Sequence, residues 1–303
     1  MSVAPMIPEA LRMPLLAPLI DDTPYVKRLH EKDTKKTLSF LGRRPVHTAI
    51  LRGMIRRNGI AGENNRGHFY GYYDARGELQ GVALIGAASL FETRRDDALA
   101  AFARLARENS ASCTLVVEQE QADLFWRHYS PEARSSVRLH ARELLMQLEQ
   151  PAELGERIAG LRQAVAADLD LIVPVHAAMC LAEKGVDPSV VDAQGFRRRC
   201  LRRIEGGQTW VWIENGKVIF KADVVADTPE AIYLEAIYVS PDERRKGYGL
   251  RCLAQMCDKL LRRTERVSLL VDERNLGARA LYARVGYQTV AHYDTIILDS
   301  SSH

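Results

Sequence analysis

One glycine-bearing turn in the C-terminal half has the residue types that bind an anion at a helix start. The segment reads Glu235-Ala-Ile-Tyr-Val-Ser-Pro-Asp-Glu-Arg-Arg-Lys-Gly-Tyr-Gly249 and joins a strand pattern to a helix pattern. The first N–H groups of a helix have no partner within it, and the helix dipole is positive there. Gly247 and Gly249 let an anion approach this backbone, so a diphosphate is the predicted ligand. A glycine loop with solvated arginines is the alternative interpretation.

The neighbouring elements must position this turn. The helix after it carries an apolar stripe that predicts a buried face: Leu250, Leu253, Cys257 and Leu260. A second segment, Asn275-Leu-Gly-Ala-Arg-Ala-Leu-Tyr-Ala-Arg-Val-Gly-Tyr287, follows an apolar strand pattern. Asn275 and Tyr282 are seven residues apart there, so they share one helix face.

The motif Arg244-x-x-Gly247-x-Gly249, after a strand ending Ile237-Tyr238-Val239, resembles the acetyl-CoA motif of the GNAT superfamily of N-acetyltransferases. The segment from Asn275 to Tyr287 is similar to the second superfamily feature. The resemblance covers Leu161–Leu298 in element order. More loosely, the whole chain resembles two-part proteins in which a domain of unknown function precedes the acetyltransferase. The stretches Glu183-Lys-Gly-Val-Asp-Pro188 and Phe220-Lys-Ala-Asp223 contribute to that wider likeness.

The resemblance implies a role for each matching residue. The backbone of Ile237, Tyr238 and Val239 pairs with the pantetheine arm, and an N–H there polarises the thioester carbonyl. Asn275 hydrogen-bonds the pantetheine. Tyr282 protonates the departing CoA thiolate, since an unperturbed tyrosine pKa of about 10 keeps the phenol protonated at neutral pH. The alternative role of Tyr282 is that of an aromatic core residue. The diphosphate is held by the residues of the turn, which are Arg244, Arg245, Lys246, Gly247, Tyr248 and Gly249.

The attacking amine must lose its proton, and a carboxylate beside the split in the sheet can take it, directly or through water. Glu235 is the first candidate, because it lies on the strand that leads to the turn and some superfamily members use a glutamate on that strand. An ordinary strand carboxylate is equally compatible with the sequence. Glu183 is a weaker candidate, since it ends a helix whose following loop shapes the acceptor pocket in this superfamily.

The chain runs twice through one order of elements: strand, two helices, hairpin, strand, helix, strand, helix, strand. The predicted fold is α/β (α+β), with two tandem GNAT-like domains, each a mixed, mostly antiparallel sheet flanked by helices. An N-terminal arm at 1–24 precedes a first domain at 25–150, and the second domain spans 157–303. Among the predicted elements are a helix at Val191–Ile204 and two closing strands at Gln288–Tyr293 and Thr295–Leu298.

The first domain lacks the glycine turn. Its counterpart, Ser89-Leu-Phe-Glu-Thr-Arg-Arg-Asp-Asp97, has no glycine, and two aspartates stand at the helix start. Negative charge at this end of a helix repels a diphosphate. The first domain is therefore predicted to be a non-catalytic copy that braces the second domain or covers part of the acceptor site.

Bulk composition excludes several classes of protein. The chain has 303 residues, is 47% hydrophobic and 27% charged, and has a net charge of +3, so neither nucleic acid nor a membrane is an expected partner. No apolar run approaches the ~20 residues of a membrane span. Five cysteines without framework spacing favour a reducing cytoplasm. No cysteine–histidine spacing indicates zinc, so no metal is expected.

The leading prediction is an acyl-CoA-dependent N-acyltransferase that uses acetyl-CoA as co-substrate and acts as a monomer or homodimer. The acceptor is a small-molecule or peptide amine, attacked directly in a ternary complex. The alternative is a non-catalytic sensor or scaffold that binds acyl-CoA, and a longer acyl chain is also open. Neither the acceptor nor the acyl length follows from the sequence.

Overall fold

The computed structural model describes residues 26–109, 114–129, 137–153 and 156–298. The predicted arm at 1–24 lies outside these ranges, as do Tyr25 and Cys113. Among the helices in the described ranges, none has the length and apolar character needed to cross a membrane.

The first half follows the predicted order of elements. Its strands are β1 (Val26–Arg28), β2 (Gly67–Tyr73), β3 (Leu79–Gly86), β4 (Ala88–Thr93), β5 (Thr114–Glu118) and β6 (Val137–Leu148). Its helices are α1 (Thr34–Leu41), α2 (Ala49–Asn58), α3 (Asp96–Glu108) and α4 (Ala122–Tyr129).

The second half repeats this order with one additional short helix. Its strands are β7 (Arg162–Gln163), β8 (Thr209–Glu214), β9 (Lys217–Asp227), β10 (Ile232–Val239), β11 (Val267–Asp272) and β12 (Gln288–Leu298). Its helices are α5 (Leu169–Lys184), α6 (Pro188–Val191), α7 (Ala193–Glu205), α8 (Tyr248–Leu261) and α9 (Leu276–Val285).

All these strands form one sheet, in the order β1-β2-β3-β4-β5-β12-β6-β11-β10-β9-β8-β7. The pairs β4–β5 and β10–β11 are parallel, and the other neighbours are antiparallel. The mixed, mostly antiparallel sheet is therefore confirmed. Corresponding strands of the two halves occupy mirrored positions in this order, which indicates a pseudo-twofold axis between β12 and β6.

The two halves exchange their last strands. β12, the final strand of the second half, pairs with β5, and β6, the final strand of the first half, pairs with β11. The two exchanged strands also pair with each other along most of their length. Thus β6 lies next to the parallel pair β10–β11 of the second half, and β12 lies next to the parallel pair β4–β5 of the first half. The sequence had predicted a separate sheet in each domain. The predicted boundary between 150 and 157 stays a prediction.

Helices cover both faces of the second-half sheet. The side chains of α8 and α9 pack on one face with Leu234 and Leu269, in the largest core cluster. On the opposite face, Ala49 of α2 packs with Leu145 and Tyr233. A Cβ on Gly53 of α2 would stand 2.5 Å from the Cβ of Ala226, so this first-half helix lies directly on the second-half sheet.

Two predicted elements have different bounds in the structure. The two predicted closing strands are one strand, β12, because the ladders to β5 and β6 continue through Asp294. The helix predicted at Val191–Ile204 is divided, because the Asp192 carboxylate accepts a hydrogen bond from the Gly195 N–H at 2.8 Å and starts α7 there.

Pro174 lies in the second turn of α5, which begins at Leu169. Because proline has no N–H, the helix lacks one hydrogen bond at that point.

Candidate active site

The glycine-bearing turn connects the end of β10 to the start of α8. Gly247 has a φ of 83°, in the left-handed region where glycine has no steric penalty. Gly249 packs closely: a Cβ there would stand 2.8 Å from the Val239 Cγ2. One glycine thus shapes the turn, and the other lets the helix start pack against the end of the strand.

The N-terminus of α8 presents backbone donors at this turn. The first N–H that donates within the helix is that of Arg251, to the Gly247 carbonyl at 3.1 Å. The N–H groups of Tyr248, Gly249 and Leu250 therefore precede the first intrahelical bond. They form an anion-binding end of a helix whose dipole adds positive charge.

The basic side chains of the turn are exposed around these donors. Arg244, Arg245 and Lys246 all lie at the surface. The Arg244 Nε donates to the Val239 carbonyl at 3.2 Å, and Lys246 pairs with Glu243 at 2.9 Å. The predicted diphosphate residues are thus contiguous in space and positively charged.

The sheet splits beside the turn. β10 and β11 pair only at Ile232–Val267 and Tyr233–Ser268. On its other edge, β10 stays paired with β9 as far as Val239. From Leu234 onward, the β11-facing edge of β10 is therefore open for a ligand that adds a strand.

A bulge in β10 lies at this split. Ala236 has a φ of 52°, and the register to β9 shifts between Glu235–Asp223 and Tyr238–Lys221. Two residues of β10 therefore oppose one of β9. Below the bulge Glu235 is exposed, whereas Ile237 and Val239 beyond it pack on the core under α8. The bulge re-aims the strand where Ile237, Tyr238 and Val239 are predicted to pair with pantetheine.

Tyr282 lies in the core beneath this split. Its ring is buried and packs on Tyr287, with ring centroids 5.8 Å apart. Burial raises the pKa of Tyr282 far above its usual value, and the Glu183 carboxylate adds to the rise. The phenol is thus protonated at any physiological pH. Tyr282 can therefore be both a core residue and a general acid, because burial keeps its hydroxyl protonated.

Asn275 is the N-cap of α9 and is exposed. Its Oδ1 accepts a hydrogen bond from the Ala278 N–H at 3.1 Å. The carbonyl oxygen therefore has a structural use, and the amide N–H₂ is the group that can donate to a ligand.

A set of carboxylates surrounds the open end of the split. Glu235 lies on β10 and Asp272 ends β11. Glu143 of β6 is the cross-strand partner of Asp272, although it belongs to the first half of the chain. Burial raises the pKa of Glu143, and the carboxylates of Glu235, Asp272 and Glu183 raise it further. The structure thus brings both predicted proton acceptors, Glu235 and Glu183, near a third carboxylate that the sequence did not suggest.

Family comparison agrees with this geometry. Residues 180–287 match the model of the acetyltransferase (GNAT) family. This segment contains the split, the glycine turn and Tyr282. We refer to the second half, which contains this match, as the GNAT domain.

Solved structures resemble nearly the whole chain. A Drosophila melanogaster protein shares 15% identity at a TM-score of 0.67, over 92% of this chain and 99% of its own. A GNAT-family acetyltransferase from Colwellia psychrerythraea shares 13% identity at a TM-score of 0.55, over 90% and 99%. A tandem GNAT protein from the clavulanic acid biosynthesis pathway shares 14% at a TM-score of 0.55, over 92% and 99%. No curated protein matches significantly. These likenesses establish the tandem fold.

In the half without the GNAT family match, the corresponding helix start is acidic. Asp96 and Asp97 are the first residues of α3, and the Asp97 Oδ1 accepts a hydrogen bond from the Ala98 N–H at 2.9 Å. Arg95 pairs with Asp97 at 2.6 Å and lowers the pKa of that carboxyl to about 2. At the start of α3, the Asp97 carboxylate thus occupies a backbone donor, whereas the backbone donors at the start of α8 are available to a ligand.

The first-half sheet also splits, but a side chain bridges the split. β4 and β5 pair from Ala88–Thr114 to Leu90–Val116. Arg44, from the loop between α1 and α2, donates to Glu92 on β4 at 3.2 Å and to Glu118 on β5 at 3.0 Å. The guanidinium therefore ties together two strand ends whose counterparts are separate in the GNAT domain.

A buried polar network behind the GNAT split was also missed by the sequence analysis. Asp223 accepts hydrogen bonds from the Lys221 Nζ at 2.7 Å and the Thr209 Oγ1 at 2.9 Å. Arg203 reaches Asp223 at 3.4 Å and His176 at 3.0 Å. The only sequence signal was Phe220-Lys-Ala-Asp223, whose alternation places Lys221 and Asp223 on one strand face.

Within the described ranges, no group of three or more His, Cys, Asp or Glu residues is arranged to hold a metal ion. The GNAT site is built from backbone, tyrosine, carboxylates and basic side chains.

Proposed function

We propose that the protein is an acyl-CoA-dependent N-acyltransferase that transfers acetyl from acetyl-CoA to a primary amine, by direct attack in a ternary complex. One observation carries the proposal: the open edge of β10 leads directly into a helix start with backbone donors. A pantetheine arm and a diphosphate need these two features in this order.

The chain's residues fit acetyl-CoA. A side chain at Gly249 would displace Val239 at the end of the strand, and the basic turn residues match the charge of a diphosphate. The N–H groups of Tyr248, Gly249 and Leu250 would hold the diphosphate, and Asn275 would donate to the pantetheine. The bound thioester supplies the acyl group and a thiolate leaving group.

The side chains around the split move the protons. The acceptor is an ammonium ion at neutral pH, and a carboxylate of this face takes one of its protons. A β10 backbone N–H beside the bulge polarises the acyl oxygen. Tyr282 donates its proton to the departing thiolate, since burial keeps the phenol protonated at neutral pH.

The acceptor is proposed to be a small-molecule or peptide amine that enters from the face opposite α8 and α9. The first half is proposed to be non-catalytic, because Asp97 and Arg44 occupy its two corresponding positions. It still forms part of the enzyme, since α2 and β6 both lie against the GNAT domain.

The proposal is tested with the full chain, acetyl-CoA and a panel of primary amines. We expect acetyl-CoA to raise the unfolding midpoint, and free thiol to appear with at least one amine. No binding at millimolar acetyl-CoA would refute the proposal, whereas binding without thiol release from any amine would indicate a sensor or scaffold.

A further inference from the structure

The strand exchange gives the GNAT domain a side chain from the other half of the chain. β6 belongs to the first half by sequence, yet it lies between β12 and β11. Its Glu143 is the register partner of Asp272, the last residue of β11, and of Tyr293 on β12. Glu143 is therefore placed at the mouth of the split between β10 and β11.

The side chain of Glu143 lies on the acceptor face. Side chains two residues apart on a strand share a face, so Glu143 is on the face of Leu145. Leu145 packs with Tyr233 and Ala49, away from α8 and α9. Glu235 follows Tyr233 by two residues and shares that face. Glu143 and Glu235 therefore approach the split from opposite sides.

We propose that Glu143, a residue of the first half, is the catalytic base that accepts the proton of the acceptor amine in the GNAT domain. The inference rests on the proposed N-acyltransferase function. Glu143 removes one proton from the ammonium, and the neutral nitrogen then bonds to the acyl carbon. The carbon–sulfur bond breaks, Tyr282 protonates the thiolate, and the nitrogen loses its second proton to solvent as the amide forms. Tyr282 then regains a proton from solvent and Glu143 releases its proton to solvent, so each turnover releases one proton.

Neighbouring groups distinguish Glu143 from the other carboxylates. Asp272 is paired with Arg274 at 2.7 Å, which lowers its pKa and makes it a weak base. Glu235 and Glu183 are exposed to solvent. Glu143 is half-buried, and burial together with the nearby carboxylates raises its pKa above its usual value, which makes it a stronger base than an ordinary carboxylate.

Thr295 orients this base. Its Oγ1 donates a short hydrogen bond to the Glu143 Oε2 from β12. This hydrogen bond stabilises the carboxylate and lowers its pKa, against the effect of burial. The groups that face Glu143 are Asp272 on β11, Glu235 and Tyr233 on β10, Glu183 on α5, and Tyr293 and Thr295 on β12. Thr295 thus offers a way to shift the pKa of Glu143 while keeping the carboxylate.

The test compares Glu143→Gln, Glu235→Gln and Thr295→Val in the full chain, with acetyl-CoA and the amine that gives the most thiol in the panel. Glu149→Gln is the matched control, because Glu149 directly follows β6 and pairs with Arg266 at the surface. Unfolding midpoints and the Kd for acetyl-CoA report whether each variant is folded and binds its co-substrate.

We expect Glu143→Gln to lower kcat by about 10²-fold or more while the acetyl-CoA Kd is unchanged. Glu235→Gln should lower kcat less, and Glu149→Gln should leave it unchanged. In wild type, activity should fall as the pH drops through the pKa of Glu143. Thr295→Val should move this acid limb to higher pH, which a purely structural threonine would not do.

The assignment of Glu143 is wrong if Glu143→Gln keeps its kcat and acid limb, or if Thr295→Val leaves the limb in place. If Glu143→Gln does not fold, the position of the acid limb of the pH–activity profile in Thr295→Val alone tests the assignment. A wild-type protein that binds acetyl-CoA but acylates no amine would refute the proposed function, and the base assignment with it.

Discussion

The two halves of the chain differ most clearly at the starts of α3 and α8. Both helices follow a strand that separates from its parallel neighbour. At α8 the chain has two glycines and exposed basic residues, whereas α3 begins with Asp96 and Asp97. A few residues at one helix end thus distinguish the predicted cofactor site from its predicted non-catalytic counterpart.

The two splits differ as well. In the first half, Arg44 joins Glu92 to Glu118 across the gap. In the GNAT domain, the carboxylates Glu143, Glu235 and Asp272 lie around the corresponding opening. An internal cation stabilises the first split, whereas the proposed acceptor amine would bring its own cation to the second. Under the proposed function, the first half braces the sheet and the second half catalyses.

The largest expected difference between the halves concerns their helix tyrosines. Tyr282→Phe should lower kcat by about 10²-fold, because the thiolate loses its proton donor, while the acetyl-CoA Kd stays unchanged. Tyr129→Phe, in the corresponding helix α4, should leave kcat unaltered. Thiol-release kinetics on both variants check this. A Tyr282→Phe enzyme with wild-type kcat would contradict the assigned role.

The next effect is on stability. Arg44→Met should lower the free energy of unfolding by about 3 kcal/mol, since it leaves Glu92 and Glu118 close together without their cation. The acetyl-CoA Kd should not change. Urea unfolding measures the loss, and Arg44→Met combined with Glu92→Gln should recover part of it. A loss below about 0.5 kcal/mol would mean that Arg44 does not hold the first split together.

A smaller effect is expected when the acidic character of α3 is transferred to α8. Tyr248→Asp should weaken acetyl-CoA binding by about 10-fold, because a carboxylate at this helix end repels the diphosphate. Tyr248→Asn is the matched control, since it loses the same ring contact with Trp212 without adding charge. Calorimetric titration gives both Kd values. Equal affinity of the two variants would show that the helix start does not hold the diphosphate.

The smallest effect is a pH dependence of the first half. Burial and Arg44 lower the pKa of His47 to about 4. In the unfolded chain His47 is protonated below about pH 6.5, whereas in the folded chain it stays neutral down to a lower pH. The stability due to neutral His47 is complete above about pH 6.5 and is lost as the pH falls toward 4. His47→Gln should reduce this decline by about 1 kcal/mol in urea titrations at several pH values. Parallel curves for wild type and variant would contradict the lowered pKa.

Local chemistry made much of the fold predictable. The stripe Leu250, Leu253, Cys257 and Leu260 is buried in α8 as its spacing indicated. The turn at Gly247 and the acidic start of α3 are local features, so the sequence placed them correctly. Residue types and spacing determine such elements.

The strand exchange was not predictable in the same way. Alternation in β6 shows which residues share a face, but it does not specify the neighbouring strand. Pairing between β6 and β11 depends on contacts made far along the chain. Glu143 was missed for this reason, since its place beside Asp272 exists only in the assembled sheet.

The proposed function requires that the GNAT domain alone binds acetyl-CoA. The most direct measurement is the stoichiometry of acetyl-CoA binding to the full chain by titration calorimetry, with wild type and Tyr248→Asp compared. We expect a single site per chain, with weaker affinity in the variant. Two equivalent sites, or one site unaffected by Tyr248→Asp, would contradict it.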